Sequence, residues 1–252
     1  ASRGLGDVYK RQLQTCLQKA VDEELIPTNP CKKVQLPKDE PKEMQTLKAN
    51  ELAAFLQETK DSGCYEFYLL EITTGLRLGE ILALTWDDLD MKNKTISINK
   101  QVQRIKSELK ATTPKTTASI RKISICDECL NQLIILRSRQ RLNTKLIFPS
   151  PITNGYRDPS SITRKLHRMQ KRAGVPQIRF HDLRHSFATL SLEQGMDIKT
   201  ISHMLGHTDA GFTMNTYMHV TDTMQQTVAN AMGNLVAEKE NEKRIKIIQY
   251  TA

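Results

Sequence analysis

Apolar residues recur at helical spacing along most of this chain, and in one stretch the spacing shortens to every second residue. The first periodic segment, LQTCLQKAVDEELI, repeats at Leu13, Cys16, Leu17, Ala20 and Val21 and predicts an amphipathic helix. PTNPCKKVQLPKDEPKEM comes next. Its prolines and mixed charge are too disruptive for a helix and too polar for a core strand, so it reads as an interdomain linker. From Leu47 the pattern tightens. LKANELAAFLQET opens a helix with a cap expected at Asn50, and CYEFYLLEITTGLRLGEILALTWDDL gives two apolar helices punctuated by Gly75. KTISINK, KATTPKTT and ASIRKISI then alternate or are β-branched, which predicts a small antiparallel sheet. Helical spacing returns in CLNQLIILRSRQRL, SITRKLHRMQKRAGV, HDLRHSFATLSLEQG, DIKTISHMLGH, TMNTYMHV and TDTMQQTVANAMGNLVAEKENEKRI, without internal repeat.

The expected fold is mainly α, of the α+β class, with one small antiparallel sheet. Residues 1–28 read as the last helix of a domain whose remainder is missing, because a lone helix cannot bury its own apolar face. Residues 29–46 are the linker and 47–252 the main domain. Residues 1–12, ASRGLGDVYKRQ, do not read smoothly into the helix beyond them and are set aside as a foreign leader.

Charge narrows the function. Lys and Arg number 37 against 28 Asp and Glu, a net charge of +9, so polyanions are the expected partners, nucleic acid before membrane surface. No apolar run reaches membrane-spanning length and no secretion signal opens the chain, which makes a cytoplasmic protein without membrane contact the expectation. Five scattered cysteines suit reduced thiols. Cys126 and Cys129 form a lone CxxC with no second pair or nearby histidines at zinc-finger spacing, and read as helix-start residues.

Several charged residues then stand in unexpected places. In HDLRHSFATL, helical spacing puts His181, Arg184 and His185 on a compact polar face, with Phe180, Leu183, Phe187 and Leu190 as the buried stripe. Three uses compete for that face: a solvated surface, a metal held by the two histidines, or a phosphate. Arg184 opposes a dication, whereas its planar fork matches phosphate oxygens and imidazole moves protons. Arg77 lies among Leu76, Leu78, Ile81, Leu82 and Leu84 and needs either Glu80, three residues on, or an anion. Lys115 is expected at the tip of a hairpin. Gly206 ends a helix, His207 follows at once, and Tyr217 sits ten residues later.

TGLRLGE, PKTTASIRKI, HDLRHSFAT, LGH and NTYMHV, in this order from about residue 47 to 225, resemble the catalytic domain of the tyrosine recombinase (phage integrase) family. Each fragment alone is weak; the ordered set is specific. The resemblance implies a helical catalytic fold with a three-stranded antiparallel sheet, preceded by the end of a core-binding domain. It implies that Tyr217 attacks the scissile DNA phosphate, forming a 3′-phosphotyrosyl link and freeing a 5′ hydroxyl. Arg77, Arg184 and His207 would then hold the non-bridging oxygens, Lys115 would protonate the leaving oxygen, His181 would assist proton transfer, and Glu80 would support Arg77. No cofactor and no catalytic metal is required. The implied partners are double-stranded DNA at specific attachment sites, a homo-tetramer on that DNA, and accessory DNA-bending or excision-directing proteins, in a bacterial cytoplasm on the nucleoid. Val228, Met232, Leu235 and Val236, with IKIIQY beyond, would form a tail that docks on a neighbouring subunit or packs within its own.

Two other readings compete. FATLSLEQGMDIKTISHMLGH also looks like a helix-turn-helix with Gly195 in the turn and Ile198, Ile201 and Leu205 buried, as in a non-catalytic DNA-binding regulator; that reading leaves Arg77, Lys115 and Tyr217 unexplained. A type IB topoisomerase shares the chemistry but relaxes supercoils without specific sites.

Overall fold

The computed structural model describes residues 3–34, 45–114, 119–140 and 144–206. The chain divides into two compact units, Ala1–Glu43 and Met44–Ala252.

The first unit is built on one long helix, α1 (Arg3–Asp22), which starts well before the expected Leu13. Most of the supposed leader is therefore helical. It contains no proline, and extending an existing helix adds one backbone hydrogen bond for each residue fixed. Asn29 closes the unit. Its buried side chain donates to Gln14 O at 2.8 Å and accepts from Cys31 N at 3.0 Å, capping a 3₁₀ turn over Pro30–Lys33.

The second unit is mainly helical, as expected. Its helices are α2 (Ala49–Asp61), α3 (Tyr65–Thr74), α4 (Leu78–Ala83), α5 (Asp127–Arg139), α6 (Pro159–Ala173), α7 (Phe180–Glu193) and α8 (Ile198–Leu205). The apolar run FYLLEITT explains the arrangement. A helix apolar on every side must be buried on every side, and α3 packs against α2, α5 and α7 together. The Phe67 ring meets those of Tyr68, Phe148 and Phe180 at 5.1, 5.1 and 6.0 Å, tying α3 to α7 and to the segment before α6. The cap of α2 is Lys48 and not Asn50: Glu51 reaches back to accept the Lys48 N–H at 2.8 Å, leaving Asn50 inside the first turn. Cys126 caps α5 from the surface and Cys129 is buried one turn in, both at the helix start as expected.

Among the described residues the unit also has five short strands: β1 (Leu89–Asp90), β2 (Thr95–Ile98), β3 (Gln101–Ile105), β4 (Glu108–Thr112) and β5 (Arg121–Ser124). The three-stranded antiparallel sheet has the order β1-β2-β5, with Ile96 opposite Ile123 and Ile98 opposite Arg121. Its membership differs from the expectation. KATT joins QVQRI in a separate hairpin, β3 with β4, which turns at Lys106 and Ser107, both at positive φ. Two consecutive left-handed residues match the strand twist, which is why the chain reverses there. The expected hairpin tip at Lys115 is thus corrected. Lys115 falls in the connection from β4 to β5, strands that do not pair with each other, and lies outside the described residues.

The Tyr68 hydroxyl is buried without a hydrogen-bond partner among the described residues. An unpaired buried hydroxyl costs roughly 1–3 kcal/mol, so Tyr68→Phe is expected to raise the melting temperature by a few degrees. A thermal melt showing a loss of stability would reveal a partner for that oxygen.

Candidate active site

The site begins where α3 ends. Gly75 takes φ 62°, and a Cβ there would stand 2.5 Å from Phe187 Cδ1 and 2.8 Å from Leu205 Cδ2. Glycine serves twice: it turns the chain and lets α7 and α8 close over the turn. Arg77 follows as the cap of α4. Its backbone N–H donates to Glu80 Oε2 at 3.0 Å and its Nη1 to Glu80 Oε1 at 2.9 Å. The ion pair foreseen from the sequence is therefore present, but it is not closed. Arg121 enters from β5 and binds the same carboxylate with both terminal nitrogens, at 3.1 and 2.9 Å, with both side chains buried.

Arg184 comes from α7. Of the expected polar face Arg184 and His185 turn inward and are buried, with Asp182 beside them, while His181 stays exposed; Phe180, Leu183 and Phe187 are buried as expected, whereas Leu190 is only half-buried. The physical reason is the supply of carbonyl acceptors at two helix ends. Arg184 Nη1 donates to Gly75 O at 2.9 Å and Nη2 to Leu205 O at 2.6 Å. Carbonyls in the last turn of a helix lack intrahelical donors and carry the negative end of its dipole, so a buried guanidinium finds both charge and geometry there.

The same logic holds along the end of α8. Arg121 Nε donates to Met204 O at 2.6 Å, Arg184 Nη2 to Leu205 O, and Arg77 Nη2 to Gly206 O at 3.4 Å. Three consecutive carbonyls are each held by a different arginine. The next residue in the chain is His207.

Charge in the cluster is unbalanced. Burial pushes Glu80 up, but hydrogen bonds and charge from Arg121, then Arg77, outweigh it and hold its carboxyl below the ordinary range. Glu71, fully buried on α3 without a hydrogen-bond partner among the described residues, is pushed well above the ordinary carboxylate range by burial, against the pull of Arg184. Burial, with repulsion from Arg77, brings Arg184 down to about 9. Among the described residues, Arg77 and Arg121 bind one ionised carboxylate while Arg184 is held by carbonyls alone, an arrangement that attracts an anion. His181 is exposed at the start of α7, its ring 4.8 Å from that of His185 in an edge-to-face pair. Burial and Arg184 lower its pKa, and burial takes His185 down to about 4, so both rings are neutral at pH 7 and can accept a proton.

Of the residues expected to carry chemistry, Arg77, Arg184 and Glu80 come together and His181 lies one helical turn before Arg184. Lys115, His207 and Tyr217 lie outside the described residues. Arg121 joins the site without having been expected there. The signal for it was the alternation of SIRKISI, which places Arg121 on the inward face with Ile123 and Ile125 and leaves Ile120 exposed.

The chain belongs to the Phage integrase family, which it matches over residues 42–224. It is 31% identical to a XerC-like tyrosine recombinase of Caldanaerobacter subterraneus, over 88% of this chain and 64% of that one. It is 32% identical to the ICEBs1 integrase of Bacillus subtilis, over 92% of this chain and 67% of that one. The chain thus spans less than two thirds of the first of these relatives. Its fold is similar to that of the Tn1549 transposon integrase solved in complex with a circular intermediate DNA, with a TM-score of 0.78 at 21% identity, over 90% of this chain and 80% of that one.

The raised pKa of Glu71 has a measurable sign. Its folded pKa lies above the ordinary 4.5, so the unfolded chain ionises first and stability is lost as pH rises above 4.5. Glu71→Gln, which cannot ionise, is expected to be more stable than the parent at pH 7, with the gap closing below pH 4.5. Urea unfolding at both pH values decides it; a variant weaker at pH 7 would mean that Glu71 is an ionised partner of Arg184.

Proposed function

We propose that this chain is the catalytic part of a site-specific DNA recombinase that cuts and rejoins duplex DNA for integration or excision of a mobile element. The observation that carries the reading is the convergence of Arg77, Arg184 and Arg121 on the last carbonyls before His207, with positive charge left over. A DNA phosphodiester is the anion such a cluster suits. Arg77 and Arg184 use only part of their donor sets on protein acceptors among the described residues, which leaves N–H groups for phosphate oxygens.

On this reading the Tyr217 phenol gives its proton toward His181, and its oxygen bonds to phosphorus. The P–O5′ bond breaks, Lys115 protonates the departing 5′ oxygen, and the DNA remains linked through a 3′-phosphotyrosyl ester. Arg77, Arg184 and His207 stabilise the charge that gathers on the non-bridging oxygens. A free phenol ionises near pH 10, so the cationic surround also makes the attacking oxyanion accessible at neutral pH. The ester keeps the energy of the broken bond, and attack by a second 5′ hydroxyl reseals the strand without ATP. Reciprocal exchange needs several active sites on one junction, which fits a tetramer on attachment-site DNA with DNA-bending or excision-directing proteins beside it, on the bacterial nucleoid. The names of the relatives, an integrase and a transposon integrase bound to DNA, support the substrate class.

The experiment is covalent capture on a nicked duplex spanning a candidate junction. The parent chain is expected to form protein-linked DNA and Tyr217→Phe none, with DNA affinity retained. Protein-linked DNA from Tyr217→Phe would refute the nucleophile. Cleavage is expected to persist in EDTA, and relaxation of supercoiled DNA lacking the site would favour a topoisomerase. Affinity is expected to fall steeply with salt, since phosphate contacts release counterions.

A further inference from the structure

Arg121 occupies an inward position of β5 where the strand pattern calls for an apolar side chain, flanked in register by Ile98 and followed by Ile123. It is 1% exposed, so its charge is removed from water and must be met by protein groups. Three partners meet it: the nearby Ser119 O, which accepts from Nη1 at 3.0 Å, and groups on two separate elements. Its fork grips both oxygens of Glu80 on α4, and its Nε donates to Met204 O at the end of α8. Gly206 is packed directly on it: a Cβ at that position would stand 2.8 Å from Arg121 Nη1 and 3.0 Å from Cζ. Arg121, like Arg77 itself, thus touches both the Glu80 carboxylate and the backbone leading into His207, and it does so from a strand, with its side chain buried.

We infer that Arg121 is a positioning residue for the anion site: it sets the Glu80 carboxylate, and through it the Arg77 guanidinium, in register with the end of α8. This rests on the recombinase reading for its anion, the scissile phosphate, and goes beyond it by giving a role to a residue that does not contact DNA. The alternative is that Arg121 merely fills and satisfies the sheet core. The two differ in a readable way. A positioning residue acts on charge stabilisation at the phosphate, so its loss should matter little when the phosphate carries no charge. A core residue acts on folding and binding whatever the substrate.

Arg121→Lys keeps the charge and most of the stem but lacks the fork, so it cannot bind both Glu80 oxygens and Met204 O at once. The full chain would be compared with this variant in single-turnover covalent capture on two nicked duplexes, one with a natural scissile phosphodiester and one with a neutral methylphosphonate there. On the phosphodiester the rate is expected to fall by about ten- to a hundred-fold, with duplex affinity and melting temperature close to the parent's; on the methylphosphonate it is expected to change by less than about three-fold. Equal losses on both substrates, no loss on either, or a loss confined to affinity would overturn the inference. Gly206→Ala provides the second variant should Arg121→Lys not fold, because it displaces Arg121 without removing it, and the same substrate-dependent ratio is expected. A parent chain that forms no Tyr217-linked DNA would sink the recombinase reading itself; a parent that cleaves while both variants cleave normally would sink only the role of Arg121.

Discussion

The site depends on one constraint: a helix end has carbonyls without donors, and here three of them in a row are satisfied by arginines from three different elements. Met204, Leu205 and Gly206 accept from Arg121, Arg184 and Arg77, which arrive from a strand, a helix and a helix cap. Because these bonds are charge-assisted and two of the three donors are buried, the geometry of the α8 terminus and the geometry of the arginines fix each other. Gly75 and Gly206 permit the close approach, the first under Phe187 and Leu205 and the second against Arg121 itself.

Two carboxylic acids within this unit behave in opposite ways, and solvation against pairing decides each. Glu80 has Arg121 and Arg77 within hydrogen-bonding distance, and their contribution exceeds the penalty of burial, so it remains ionised. Glu71 has the longer-range field of Arg184 but no hydrogen bond among the described residues, so burial prevails and raises its pKa. The same balance on the basic side weakens the hold of Arg184 on its proton and keeps His181 and His185 unprotonated. Within the cluster, among the described residues, three guanidinium groups therefore face one paired carboxylate.

Much of this was legible before any coordinates. Periodicity gave the helices, because a long segment of one period has few alternatives; α6 and α8 show it plainly, with Ile162, Leu166 and Met169, and with Ile201 and Leu205, turned inward. Strand pairing was less legible. KATT and ASIRKISI carry the same local signal yet join different sheets, since partnership is set by the turn at Lys106 and Ser107 and not by propensity. Asn50 lost the cap of α2 to Lys48 because Glu51, three residues on, was already placed to receive the backbone N–H. Arg77, Glu80 and Arg184 could be singled out as charges in apolar surroundings. Arg121 was hidden by the lysine beside it: RK in a strand reads as surface until the register shows which of the two points in. The inward turn of Arg184 was equally invisible, since its acceptors are main-chain atoms more than twenty residues away in one case and more than a hundred in the other, and backbone carbonyls leave no trace in a side-chain pattern.

The surplus of positive charge in the arginine cluster has a consequence for how an anion docks. Among the described residues Glu80 balances only part of the charge that Arg77, Arg121 and Arg184 bring together, and the remainder repels itself until a counter-ion arrives. An anion entering the cluster supplies that counter-ion, so binding it and consolidating the fold become a single linked equilibrium in which each favours the other.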